Sequence, residues 1–192
     1  DGIEVFSQGQ GVYEDRNSIS KILGIPLENV VVSLMPNGGA FGGKEDISVQ
    51  GHASLFAHLL QLPVRVALTR PESLIMHPKR HPMSMDISMG CDKKGKLTFI
   101  KADIIGDTGA YASVGMKVLE RAAGHATSVY TIPSVDILSR AVYTNNVPCG
   151  AMRGFGVNQI NFAVESCIDE LCELGGYDRW QIRYDNALKP GD

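Results

Sequence analysis

An α+β fold, a mixed sheet with packed helices, is what this sequence predicts, and two observations carry that reading. Strand-like alternation and helix-like periodicity follow one another irregularly along the chain, and two of the strands read as a hairpin. A doubly wound sheet would need regular βαβ units, and no internal repeat supplies them. The elements follow in order. Residues 3–6 read as a strand. Residues 13–23 suit a helix with Ile19, Ile22 and Leu23 on one face, Gly24 past its end and Pro26 beyond. Residues 30–34 form a continuous apolar run, the mark of a buried strand. A glycine-rich loop leads into a helix over about 46–61, with Ala53, Phe56, Leu59 and Leu60 as its apolar stripe. Val64, Val66 and Leu68 alternate with Arg65, Ala67 and Thr69, which predicts a strand with one polar face. Met83, Met85, Ile87 and Met89 alternate likewise and pass through Asp92-Lys93-Lys94-Gly95 into residues 97–105, the hairpin. Residues 135–142 make a further strand. Ile160, Ala163, Val164, Cys167, Leu171 and Leu174 mark a helix closed by Gly175-Gly176, and Asp178 is placed to cap a last one.

Composition bounds the function class. With 192 residues, 44% hydrophobic and 20% charged, the chain is of ordinary globular type. Its 18 Lys and Arg against 21 Asp and Glu give a net charge of −3, which argues against nucleic-acid and membrane-surface partners. No apolar run suits a membrane span and no signal peptide is visible, so the expectation is a cytoplasmic protein. Cys91, Cys149, Cys167 and Cys172 form no C-x-x-C pair, so their spacing builds neither a zinc nor an iron–sulfur site. The chain opens at Asp1-Gly2 without Met and stops at the turn signal Lys189-Pro190-Gly191-Asp192. Both ends give the expectation of a piece of a longer polypeptide.

Three connecting segments carry candidate chemistry. In the first, Gly38-Gly39-Ala40-Phe41-Gly42-Gly43-Lys44-Glu45, Gly38, Gly43 and Lys44 match a phosphate loop, G-x-x-x-x-G-K-[ST]. Glu45 stands where a Mg²⁺-binding hydroxyl belongs. Its carboxylate would repel a phosphate by roughly 4 kcal/mol per unit charge at about 4 Å and an effective dielectric near 20, so a P-loop-like nucleotide-binding module is the weaker reading. Glycines around one Phe also let a backbone approach a flat or anionic ligand, and a simple strand-to-helix turn remains the alternative. In the second segment, His77 and His81 have a metal-ligand spacing for a helix, which Pro78 and Pro82 disfavour. Arg80 between them is either a surface residue or a group that meets developing negative charge. The third segment, residues 148–156, sets Arg153 and Phe155 among glycines. Asp107-Thr108-Gly109 matches an aspartic-protease triplet, but one copy supplies only one of two required aspartates, so a turn is expected. His52, His58 and His125 stand alone and read as packed or surface residues.

Taken in order, Gln10, GGAFGGKE (residues 38–45), Arg80-His81-Pro82, Glu120-Arg121-Ala122 and Ala151-Met152-Arg153-Gly154-Phe155-Gly156 resemble the molybdenum hydroxylase family, the xanthine dehydrogenase and aldehyde oxidase group, across essentially the whole chain. Glu45 together with Arg80 is similar to the purine-oxidising branch. The resemblance implies a molybdenum-cofactor-binding type of domain spanning residues 1–192, part of the large subunit. Its implied activity is hydroxylation of an electron-poor ring carbon with oxygen from water. The implied partners are a purine or N-heterocycle substrate, the remaining large subunit, and iron–sulfur and FAD components. A related enzyme for another N-heterocycle or an aldehyde is the alternative.

Residue by residue, the resemblance implies that Gln10 meets an oxygen on molybdenum. Gly39, Phe41 and Gly42 would line the molybdenum–pterin cofactor through backbone groups, and Ala151 and Arg153 would add backbone contacts. No residue here is expected to ligate the metal directly. Phe155 would pack against the purine ring while Glu45 and Arg80 grip its polar edge. The chain departs from the family at Ala40, Met152 and Val157-Asn158. It also lacks the glycine-rich G-x-G-E segment that carries the family's catalytic base, so these residues alone are expected to hold no cofactor and to be inactive.

Overall fold

A computed structural model describes residues 2–191. The chain divides into two units: residues up to Arg80 together with Gly150–Arg153, and His81–Cys149 together with the residues from Gly154 on. Among the described residues no helix is long and apolar enough to cross a membrane.

In the first unit, β1 (Ile3–Ser7) pairs in parallel with β2 (Val30–Leu34), in a register that sets Ile3 opposite Val30 and Ser7 opposite Leu34. Parallel neighbours need a crossover, which α1 (Val12–Leu23) and a short 3₁₀ turn (Leu27–Asn29) provide. Arg16 fastens that crossover by donating from Nε to Val30 O and from Nη2 to Leu27 O, each at 2.8 Å. Val5, Ile19 and Val30 form a small apolar core.

Two expectations fail in this unit. The helix expected over 46–61 is α2 (Gln50–Leu60), and residues 46–49 are not helical. Its buried face is Gln50, Gly51 and Ser54, whereas Phe56, Leu59 and Leu60 are exposed. The reason is close packing on α1: a Cβ on Gly51 would lie 2.9 Å from Ile22 Cδ1, so the helix approaches α1 on its glycine side rather than on its large apolar residues. Residues 64–68 keep their alternation, with Val64, Val66 and Leu68 half-buried, but they belong to no sheet. α3 (Arg70–Met76) follows, opened by a capping box. Thr69 N donates to Glu72 Oε2 at 2.7 Å and Glu72 N donates to Thr69 Oγ1.

The second unit is a three-stranded mixed sheet in the order β3–β4–β5. β3 (Met83–Cys91) and β4 (Leu97–Asp107) form the expected antiparallel hairpin, with a bulge at Gly90/Cys91. Its turn is held by Asp92, whose carboxylate accepts from Lys94 N at 2.8 Å and Lys96 N at 2.9 Å. β5 (Ser134–Val142) lies parallel to β4, joined through α4 (Gly115–Gly124). Ile100, Ala102 and Ile104 of β4 face inward against Val118, Leu119 and Ala122 of α4 and against Ile160, Val164 and Ile168 of α5 (Val157–Gly175). α6 (Arg179–Asn186) packs on α5, capped by Asp178, which accepts from Trp180 N and Gln181 N. Arg183 ties the two helices by donating to Glu165 Oε2 at 2.7 Å and Asp169 Oδ1 at 2.8 Å. These carboxylates push the guanidinium pKa up although its burial works the other way, and Arg183 holds the Asp169 carboxyl below the usual range.

Candidate functional site

In the first unit, the end of β1 is set by a buried polar trio. Asp15 Oδ2 accepts from Ser7 Oγ at 2.7 Å and from Gln50 Nε2 at 3.4 Å, and Ser7 Oγ accepts from Gly9 N at 2.9 Å. Ser7 and Asp15 are 1% and 2% exposed, so the network is shielded from water and its bonds are correspondingly strong. Any side chain on Gly9 would collide with Asp15 Oδ2, which is why the chain turns here on a glycine.

That turn presents Gln10 to the glycine loop. Gln10 N donates to Lys44 O at 2.8 Å, and its side-chain Oε1 accepts from Gly42 N at 2.9 Å. With the amide oxygen engaged, the –NH₂ end keeps two donors for a ligand. Gly42 has φ +89°, and a Cβ there would sit 2.9 Å from Ala151 C and Met152 N. The 150–153 segment thus lies directly against the loop. Gly150 N donates to Lys79 O at 3.0 Å and anchors it. Ala151 is 2% exposed, and its N–H has no acceptor among the described residues, an orphaned donor that a bound group would satisfy. The Arg153 guanidinium carbon lies 5.7 Å from the centroid of the exposed Phe41 ring, within cation–π range.

The structure therefore joins Gln10, Phe41, Gly42, Ala151 and Arg153 in one cluster, with Gly39 packed against the Phe41 ring. Glu45 and Arg80 are half-buried in the same unit, and Glu45 N donates to Gly42 O at 3.1 Å. Phe155 belongs to the second unit, where it is half-buried against that unit's core. Several loop N–H groups are already used: Gly39 N meets Asn37 Oδ1, and Gly43 N meets Ala40 O. Lys44 Nζ is held on Asn37 O at 2.6 Å, and no helix begins until Gln50. A phosphate loop needs free N–H groups leading into a helix N-terminus, so the nucleotide-binding reading fails on geometry.

The remaining candidates fall elsewhere. His77 Nδ1 bonds Ser73 at the end of α3, whereas His81 is buried in the other unit. Among the described residues no cluster of three or more His, Cys, Asp or Glu is placed to hold a metal ion. Asp107 closes a turn, accepting from Gly109 N, Thr144 Oγ1 and Asn146 Nδ2, and these bonds hold its carboxyl below the usual range. Sequence reasoning missed the Ser7–Asp15–Gln50 trio. The available signal was Asp15 four residues before Ile19, a charge on the buried stripe of α1.

A family model for the molybdopterin cofactor-binding domain matches residues 1–187. The chain is 39% identical over 191 residues to a probable xanthine dehydrogenase subunit of Bacillus subtilis, covering 100% of this chain and 26% of that protein. It is also 39% identical over 189 residues to the nicotinate dehydrogenase large molybdopterin subunit of Eubacterium barkeri, covering 98% of this chain and 44% of the relative. Among solved structures, the aldehyde oxidoreductase of Desulfovibrio gigas superposes with a TM-score of 0.94 at 30% identity, over 100% of this chain and 21% of that one. The chain thus spans between about a fifth and under half of the length of these proteins.

Proposed function

The chain belongs to the molybdopterin cofactor-binding domain family, and we propose that it forms the cofactor-facing part of the large subunit of a molybdenum hydroxylase acting on a purine. The observation that carries this reading is the brace between Gln10 and Gly42, which engages the carboxamide oxygen and leaves its –NH₂ donors for a ligand at the loop that the 150–153 segment packs against. Those donors, the Phe41 ring under Arg153 and the backbone around Gly39 and Gly42 suit an anionic, partly planar group. When bound, the molybdenum–pterin cofactor supplies the two-electron redox chemistry by which an electron-poor ring carbon gains oxygen from water.

The chain's own residues then bind and orient. Gln10 and Ala151 donate to the cofactor. The Glu45 carboxylate accepts ring N–H protons of the substrate, and Arg80 meets negative charge that develops on the ring. The proton-abstracting base belongs to the large subunit outside these residues, and electrons leave through iron–sulfur and FAD components. Nicotinate is the second reading, because similarity to the nicotinate dehydrogenase relative equals that to the xanthine dehydrogenase relative.

The test uses the complete enzyme. Metal analysis should find molybdenum and a pterin. kcat/KM is then measured for xanthine, hypoxanthine, nicotinate and an aromatic aldehyde in wild type, Glu45→Ala and Arg80→Ala. Hydrogen bonds to charged groups contribute about 1.5–3 kcal/mol, so purines should lose roughly 10- to 150-fold while the aldehyde changes little. Arg80→Ala should lower kcat more than Glu45→Ala does, since the charge it meets exists only in the transition state. Equal losses on all substrates would remove the purine assignment, and nicotinate as the fastest substrate would replace it.

A further inference from the structure

We propose that the first unit contains a slot for one β-strand, and that an extended segment of the same large subunit, outside these 192 residues, fills it. The inference rests on the family reading above. The slot is a cleft of about 770 Å³. One wall is β1, the other is the extended run of residues 64–68, and the floor is the small-residue face of α2, including Ala53, Ser54 and Ala57.

Both walls have the backbone of a sheet without its partner. Among the described residues β1 pairs with β2 alone, so its far edge faces the cleft without a strand partner. Residues 64–68 alternate half-buried Val64, Val66 and Leu68 with exposed Arg65 and Ala67, the pattern of a strand with one face covered. Yet among the described residues their backbone groups make no hydrogen bond. An alternating run that includes Val64 and Val66, with its backbone unpaired, is unfavourable unless something completes the ladder.

The cleft has the volume of one strand. Five residues at about 3.3 Å each, with a spacing of about 4.8 Å between strands and a depth of about 10 Å across the side-chain layer, occupy on the order of 800 Å³. That matches the cleft. The floor sets the sequence requirement: Ala53, Ser54 and Ala57 leave room for medium-sized apolar side chains at alternate positions of the incoming strand. Its source is the same polypeptide because so much of it lies elsewhere. This chain accounts for 26% of the length of the Bacillus subtilis relative, which leaves ample chain to return to the slot.

Amide hydrogen exchange on the purified complete enzyme tests this, read on peptides covering residues 3–8 and 62–69. Residues 64–68 should exchange on the order of 100-fold or more slowly than the exposed loop around Asn145 and Asn146, and the protection should not change with protein concentration. Exchange at the loop's rate would overturn the proposal. So would protection that appears only as concentration rises, because the occupant would then be a second copy. Molybdenum content of the same sample reports separately on the family reading. Protected but molybdenum-free protein leaves the strand slot standing, and loaded but unprotected protein removes it.

Discussion

In the second unit fifteen side chains are buried in one hydrophobic cluster between the sheet and its helices, whereas the first unit buries three, Val5, Ile19 and Val30. Outside that cluster and Ala151, the buried side chains of the first unit are polar, namely Ser7, Asp15, Gln50 and Ser54, and large apolar residues such as Phe6, Phe56, Leu59 and Ile75 are exposed. One unit is therefore held together by apolar burial and the other by hydrogen bonds that fix loops. The second unit is built around a sheet, while the first fixes the Gln10 carboxamide on Gly42 N and packs the Ala151–Met152 peptide against the glycine loop.

The largest effect should come from cutting a core. Ile160 and Ile19 are both 0% exposed, one in each unit. Isoleucine-to-alanine changes cost about 2–5 kcal/mol, with the upper end where the surroundings are tightly packed and unable to relax. Ile160→Ala should lose about 4 kcal/mol and Ile19→Ala nearer 2 kcal/mol, measured by urea denaturation with hydrogen exchange locating the loss. Equal losses would show that the smaller core is as tightly built as the larger one and would break the comparison.

Next comes the polar trio. Asp15→Ala leaves Ser7 Oγ and Gln50 Nε2 without their shared acceptor in a site shut off from water. A loss of about 1.5–3 kcal/mol is expected, with Asp15→Asn milder because its side-chain oxygen still accepts. Protection should fall in β1 and α1 and stay constant in β4. A uniform loss across both units would mean that the trio is not a local device.

Gly42→Val acts on the loop itself. Backbone with φ +89° strains a β-branched residue by about 1–3 kcal/mol, and its Cβ presses on the Ala151–Met152 peptide. The complete enzyme should lose molybdenum while its second unit melts unchanged. Gly124, at the end of α4 with nothing within 4 Å of an added Cβ, is the control. Gly124→Ala should be neutral or slightly stabilising, and normal molybdenum in Gly42→Val would reduce the loop to a turn.

What the sequence disclosed follows the same division. The strands of the second unit, and its helices α5 and α6, were readable from regular local patterns. The alternation of Met83 to Met89, the helical stripe begun by Ile160 and Val164 and the Asp178 cap all appear as local patterns, although that stripe was read out to Leu174, which is exposed, while the buried face runs through Ile168 and Cys172. α4 escaped notice because it starts at a glycine with no side-chain cap. α3 was legible and missed, since Thr69 with Glu72 is a capping box. In the first unit the candidate loops were found by their glycines, but the bond from Gly42 to Gln10 spans 32 positions, and no local pattern announces it. Residues 64–68 read as a strand because their side chains alternate, and they stand alone because pairing depends on a neighbour.

The smallest effect is expected at Tyr130, and it probes the second unit by pH. The Tyr130 hydroxyl donates to Glu165 Oε1 at 2.6 Å, while Glu165 Oε2 stays paired with Arg183. Burial, then the Glu165 carboxylate, pushes the phenol from its ordinary value of 10 to about 12. A group with a raised folded pKa contributes its full stability below the unfolded value and loses it as pH rises through the folded one. Wild type should therefore weaken between pH 10 and about 12, because the unfolded chain releases this proton first. Tyr130→Phe should cost about 1 kcal/mol at neutral pH, since Arg183 still neutralises the carboxylate. Lacking the proton, the variant should be flatter over that window, so the two stability curves converge as pH rises. Other groups that titrate there act on both proteins alike and cancel in the difference. Parallel curves between pH 10 and 12 would mean that the hydroxyl keeps its proton no better folded than unfolded, and that the helix–helix seam beside Arg183 is wetter than its burial implies.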